Sequence, residues 1–167
     1  MLSFTEQKFY YFYFLIHIPI TVFVDSSVVF PQAFQLAPRL VNWHISRNND
    51  FLLQEKPAWL WWFIVVELVF QLPFFLFITR RFVQLWKLTF YGGEESKPMQ
   101  FQLWRIMAGG LRLYGLNASL TTLMCLWAIW SRGYYPATGL PMALADKAKL
   151  SMLYVPYFLI PLRLVFV

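Results

Sequence analysis

Polar and apolar residues are distributed along the chain in long blocks. Four apolar stretches stand out, at about Phe9 to Phe30, Trp59 to Thr79, Phe101 to Trp130 and Ala148 to Val167. Each is near or above the ~20 residues that a helix needs to cross about 30 Å of hydrocarbon. The pattern therefore predicts an all-α membrane protein, a bundle of four transmembrane helices forming one domain over residues 1–167.

Three connections separate these spans. The first, "QAFQLAPRLVNWHISRNNDFLLQEKPA", is polar but rich in hydrophobics, which predicts short helical or irregular pieces packed on the mouth of the bundle. The second, "RRFVQLWKLTFYGGEESKPMQ", carries the Gly-Gly-Glu-Glu-Ser signals of an exposed loop. The third, "SRGYYPATGLPMALADK", is punctuated by Pro and Gly and places Asp146 as a cap near the fourth helix.

Composition supports the membrane reading. Of 167 residues, 59% are hydrophobic, 21% aromatic and only 13% charged, and mean hydropathy is +0.52. Soluble domains carry roughly twice that charged fraction. The net charge of +6 does not form a basic stripe, so nucleic acid is not an expected partner. Arg80, Arg81, Lys87 and Lys97 crowd the second connection, with Arg105 just beyond it. The positive-inside rule puts that loop, and both termini with it, in the cytosol. The first apolar stretch lacks a small-residue cleavage pattern and reads as an uncleaved span.

The informative residues are polar groups inside apolar runs. In "FIVVELVFQLPFFLF", Glu67 and Gln71 stand four residues apart, on one helical face. At ~1.5 Å per residue, Glu67 lies ~12 Å, Gln71 ~18 Å, and Tyr157 and Thr121 ~14 Å from the non-cytoplasmic face; Asp25 lies ~6 Å from it. All four spans thus send polar groups into one half of the bilayer. Charge in hydrocarbon costs several kcal/mol, so these groups should face inward around a cavity.

Each has a plainer reading. Asp25 can mark the watery end of the first span, and Glu67 can be a neutral, hydrogen-bonded structural acid. If the two approach, repulsion and desolvation keep one protonated, and the pair holds one negative charge suited to an ammonium or a sterol hydroxyl. His17, two residues before Pro19, reads as a partner for backbone freed by a proline kink. Asn117, Ser119, Thr121 and Thr122 also fit ordinary interhelical hydrogen bonding. Pro73, Pro156 and Pro161 suggest kinks that widen a pocket.

Other chemistries find little support. Cys125 is the only cysteine, and His17 and His44 are the only histidines, so neither a disulfide nor a histidine metal cage is expected. No phosphate loop or His-Glu-x-x-His helix occurs, and no cofactor is implied.

The stretches "HIPITVFVDSSVVFP", "LLQEKPAW", "ELVFQLPFF" and "LYVPYFLIP" resemble, in the same order, the EXPERA superfamily in its sigma-2 receptor branch, whose relatives include the emopamil-binding sterol isomerases. The similarity covers the first, second and fourth spans and the first connection; the third span, "YGLNASLTTL", matches weakly. The resemblance implies a four-helix protein of the endoplasmic reticulum membrane with a pocket opening laterally into the bilayer. Its expected ligands are sterols or other lipids and cationic amphiphilic small molecules, and its expected role is sterol homeostasis or transport.

By position, Asp25 is similar to the acid that pairs with a ligand amine, and Glu67 to its protonated neighbour. Gln71 and Tyr157 are similar to pocket residues, and Asn117 and Thr121 carry over more weakly. Asp50 resembles a structural acid that holds the first connection as a lid. A lysine-rich retrieval tail, common in the family, is not found after Val167.

In the isomerases the second-span pair is His and Glu. Here it is Glu67 and Gln71, and a carboxamide is no general base at ordinary pH. Binding is therefore favoured over catalysis. Sterol Δ8–Δ7 isomerisation and a scaffold or chaperone role toward membrane-protein partners stand as alternatives, with self-association as a homodimer left open.

Overall fold

The structure, a computed structural model, describes residues 2–167. They are almost wholly helical, and their only β pairing is an isolated bridge between Tyr134 and Pro141. The helices are α1 (Phe4–Phe23), α2 (Pro38–Asn48), α3 (Phe51–Glu55), α4 (Ala58–Val66), α5 (Leu72–Tyr91), α6 (Lys97–Arg132) and α7 (Leu144–Leu164). A 3₁₀ turn, Asp25–Val28, extends α1, and a π turn, Glu67–Gln71, joins α4 to α5 without a break.

Local chemistry accounts for these boundaries. Ser3 and Glu6 form a capping box at the start of α1. Asn49 ends α2 with φ of 55°, a left-handed conformation that asparagine accepts more readily than most residues. The π turn lies just ahead of Pro73, which has no N–H to give Val69 and whose ring crowds that carbonyl. The helix relaxes there, and the Leu72 N–H reaches back five residues to the Glu67 carbonyl.

Three stretches are long and apolar enough to cross a membrane: Phe4–Val28, Ala58–Tyr91 and Glu94–Arg132. α7 has the length but not the composition over 18 residues, because every such window takes in at least three of Asp146, Lys147, Lys149 and Arg163. The second connection differs from expectation. Only Gly92–Ser96 forms a turn, while Arg80–Tyr91 and Lys97–Arg105 are helical. With 34 and 39 residues, the second and third stretches run to roughly 50 Å and more, well beyond a ~30 Å hydrocarbon layer. Asp146 does not cap α7 either. Ala143 holds the N-cap position, and Asp146 accepts a 2.5 Å hydrogen bond from the Tyr135 hydroxyl.

Two apolar clusters hold the bundle. One gathers Leu2, Tyr10 and Phe14 with Phe75, Ile78, Phe82, Met107, Leu111 and Leu164. The other gathers Val41, Ile45, Phe51 and Leu52 of the first connection with Leu60, Ile64, Cys125, Ile129 and Leu150. The first connection thus folds onto the bundle, because its apolar positions have a core to enter. α6 and α7 approach closely at Gly115, where a Cβ would stand 2.5 Å from the Pro161 carbonyl oxygen.

Candidate functional site

A cavity of about 180 Å³ lies where the two clusters meet and draws its walls from both. α1 and its 3₁₀ extension contribute Tyr13, His17 and Asp25; the second stretch contributes Leu60, Ile64, Glu67 and Gln71. α6 adds Tyr114, Ala118, Thr121, Thr122 and Cys125, and α7 adds Tyr154 and Tyr157. His44, Asp50 and Leu53 of the first connection close one end.

The acid pair is the polar centre. The Asp25 and Glu67 carboxyl groups lie within hydrogen-bonding reach of each other. Thr21 donates to Glu67 Oε1 at 2.6 Å, and His17 Nε2 lies 3.9 Å from the same oxygen. The first turn of the π segment brings Glu67 to this point, one residue after α4 ends. His17, Thr21 and Asp25 reach it from the other side because they follow one another at four-residue intervals on one helical face.

His17 does not serve the role expected of it. Its ring makes no hydrogen bond to backbone near Pro19. Instead it packs against Tyr13, Phe75 and Tyr157, with centroids 5.2, 5.2 and 5.3 Å away, and faces Glu67. Pro19 lies within α1, which runs on through it.

The remaining expected residues divide. Asp25, Glu67, Gln71, Thr121 and Tyr157 all line the cavity, but Asn117 does not; its carbonyl accepts from Thr121, and its side chain lies off the wall. The Gln71 amide, the Tyr157 hydroxyl and the His17 imidazole make no hydrogen bond to protein among the described residues. Cavity-lining polar groups in that state are the ones a ligand can satisfy.

Asp50 belongs to the cavity's end wall and is also an anchor. Buried to 1% exposure, it accepts the Leu52 and Leu53 N–H groups through Oδ1, capping α3. Its Oδ2 accepts from the Tyr154 hydroxyl at 2.9 Å and lies 3.3 Å from His44 Nε2. Just after α3, the Lys56 ammonium donates to the Ser27 carbonyl, and burial lowers its pKa from the ordinary lysine value.

Sequence reasoning missed Thr21, Tyr13, Tyr114, Tyr154 and His44. Thr21 was legible in principle from its place midway between His17 and Asp25. The tyrosines were not, because their apolar flanks look like core. The described residues contain no cluster of three or more metal-ligating side chains.

Known proteins are similar to this chain in sequence. The EXPERA (EXPanded EBP superfamily) pattern matches residues 36–167. Over 166 residues, covering 97% of this chain and 96% of the other, the sequence is 48% identical to the "Efficient mitochondria targeting-associated protein 19" of Saccharomyces cerevisiae. It is 32% identical over 157 residues to the human "Sigma intracellular receptor 2", covering 89% of this chain and 78% of that one. The family pattern begins after His17, Thr21 and Asp25, but these longer alignments take in nearly the whole chain. With its membrane-length helices and this match over most of its length, the chain belongs to the EXPERA family of membrane proteins.

Proposed function

We propose that this protein is a lipid receptor of the endoplasmic reticulum membrane, binding sterols or other lipids and cationic amphiphilic molecules in the cavity at Asp25 and Glu67. Four membrane-crossing helices with both termini in the cytosol are part of this reading, as is a role in sterol homeostasis or transport. The observation that carries it is the acid pair, which shares its cavity with the Gln71, Tyr157 and His17 side chains, none of them hydrogen-bonded to protein among the described residues.

Two carboxyl groups in hydrogen-bonding reach hold one proton between them and one negative charge. A ligand ammonium, or a hydroxyl able both to donate and to accept, meets that charge without leaving either acid unpaired. The cavity is smaller than the ~300–1,000 Å³ of most small-molecule sites. A sterol-sized ligand therefore places its polar end at the acids and extends its apolar body along the helices toward the bilayer. The relationship to the sigma intracellular receptor 2 proteins supports a receptor-like role.

The test is affinity for a radiolabelled cationic amphiphile in detergent-solubilised protein. Asp25→Asn is expected to weaken binding at least tenfold while thermal unfolding stays within a few degrees of the wild type. Unchanged affinity would refute the ion pair.

A second reading rests on the name of the S. cerevisiae relative, which ties that protein to efficient mitochondrial targeting. On this reading the chain helps hand membrane proteins on to mitochondria, and the cavity lipid tunes or stabilises that activity. Crosslinking in intact membranes that recovers only lipid and a second copy of this chain would count against it.

A further inference from the structure

The first connection leaves the membrane and then turns back into it. Phe30, Phe34 and Leu36 lie beyond the end of the first membrane-length stretch, yet they line one apolar surface together with Val22, inside that stretch, and Leu68 of the second. Leu68 follows Ala58, where its stretch begins, by ten residues, so it stands roughly 15 Å along the helix. Phe34 and Leu36, 73% and 66% exposed, thus reach hydrocarbon depth on the outside of the bundle just before α2 starts at Pro38.

α2 continues from this point with three distinct faces. Val41 and Ile45, four residues apart, are buried in the core cluster. Leu40, Trp43 and Arg47, spaced by three and four residues, share an exposed face, and Leu40 and Trp43 are 45% and 59% exposed on it. Asn42 and Ser46, also four apart and exposed, stand on the remaining face. A helix with only water outside carries polar residues over its whole outer surface. Here the outer surface is split into an apolar side and a polar side, as in helices that lie in a bilayer interface.

Charge points to the same occupant. Arg39 stands one turn before Trp43 and Arg47 one turn after it, both exposed. Neither forms an ion pair among the described residues. Trp is favoured where headgroups meet acyl chains, and Arg takes phosphate oxygens through its paired N–H groups.

We propose that residues 30–47 bind the bilayer surface, with Phe30, Phe34 and Leu36 in hydrocarbon, Leu40 and Trp43 at the acyl boundary, and Arg39 and Arg47 on lipid phosphates. The partner is the adjoining leaflet itself, and the contact does not depend on what the cavity binds. α2 also carries His44 to the cavity's end wall, so the membrane seats one end of that cavity from outside.

The experiment places single spin labels on the full chain in phosphatidylcholine nanodiscs through Leu36→Cys, Leu40→Cys or Asn42→Cys. The buried Cys125 is retained, and the wild-type chain, labelled briefly in the same way, serves as the blank. Electron paramagnetic resonance then compares accessibility to oxygen, which concentrates in hydrocarbon, with accessibility to a water-soluble nickel chelate. The oxygen-to-nickel ratio at positions 36 and 40 should exceed that at 42 by at least fivefold. Adding Arg39→Gln with Arg47→Gln should lower the ratio at position 40 at least twofold, and Arg39→Lys with Arg47→Lys should retain it. Nickel access at 40 equal to that at 42 would overturn the proposal by placing this face in water. Exclusion of both reagents at 40 would also overturn it, by showing a protein or a second copy of this chain seated there. An unchanged ratio in the double Gln variant would overturn the phosphate contacts.

Discussion

The Tyr154 hydroxyl donates to the Asp50 carboxylate across 2.9 Å, joining a five-residue helix of the first connection to the middle of α7. One buried acid therefore both starts α3 and ties the end wall of the cavity to the bundle. Asp50→Ala leaves two backbone N–H groups and a tyrosine hydroxyl without partners. Each orphaned group costs about 1–3 kcal/mol, so this variant should be among the most destabilising single changes in the chain. Tyr154→Phe removes one bond and should cost only about 1 kcal/mol. Thermal unfolding in detergent ranks the two, and a larger loss in Tyr154→Phe would contradict the anchoring role.

Thr21 is expected to act through Glu67. Thr21→Val keeps the shape but removes the 2.6 Å bond to Oε1, freeing the carboxyl to turn away from Asp25. A hydrogen bond to a charged or shared-proton group is worth about 1.5–3 kcal/mol, so ligand affinity should fall by roughly tenfold or more. Thr21→Ser should restore most of it. Equal affinity in Thr21→Val and wild type would mean that Glu67 is held by other contacts.

Cys125 provides a direct occupancy readout, because it is the sole cysteine and lines the cavity. The thiol is 6% exposed, so N-ethylmaleimide should modify it slowly. A saturating cationic ligand should slow the reaction further, by at least fivefold. A rate indifferent to ligand would place the bound molecule elsewhere.

Gly115 tests the α6–α7 contact. A methyl group there meets backbone of α7 rather than the end of a flexible side chain, so Gly115→Ala should force the helices apart at a cost of about 1–3 kcal/mol. The cavity wall built from Ala118, Thr122 and Tyr157 spans the same two helices, so ligand affinity should fall with stability. A variant as stable as wild type would show that this approach is not tight.

Catalysis makes its own prediction. Pure protein incubated with a sterol carrying an 8,9 double bond should return it unchanged by mass-resolved chromatography, because Gln71 supplies no base beside Glu67. His17, now seen 3.9 Å from Glu67, is the residue to replace first if a shifted double bond appears. Loss of that product in both His17→Gln and Glu67→Gln would establish acid-base work by the pair and displace the binding-only reading.

The sequence by itself determined the helical membrane class, the positions of the long apolar stretches and the polar residues that break them. Those features follow from local composition and from the cost of polar groups in hydrocarbon, which the chain carries wherever it folds. Glu67, Gln71, Asp25, Thr121 and Tyr157 were legible for that reason.

Tertiary structure decided the rest. Whether Asn117 faces the cavity depends on how α6 is rotated against α7, and a run of Asn, Ser and Thr on one helix does not specify that rotation. His17 near Pro19 suggested a backbone partner, yet the packing of α1 against the second stretch turned its ring toward Glu67. The double duty of Asp50 and the bond from Lys56 to the Ser27 carbonyl depend on segments distant in sequence. Periodicity reports which residues share a face; only packing reports what that face meets.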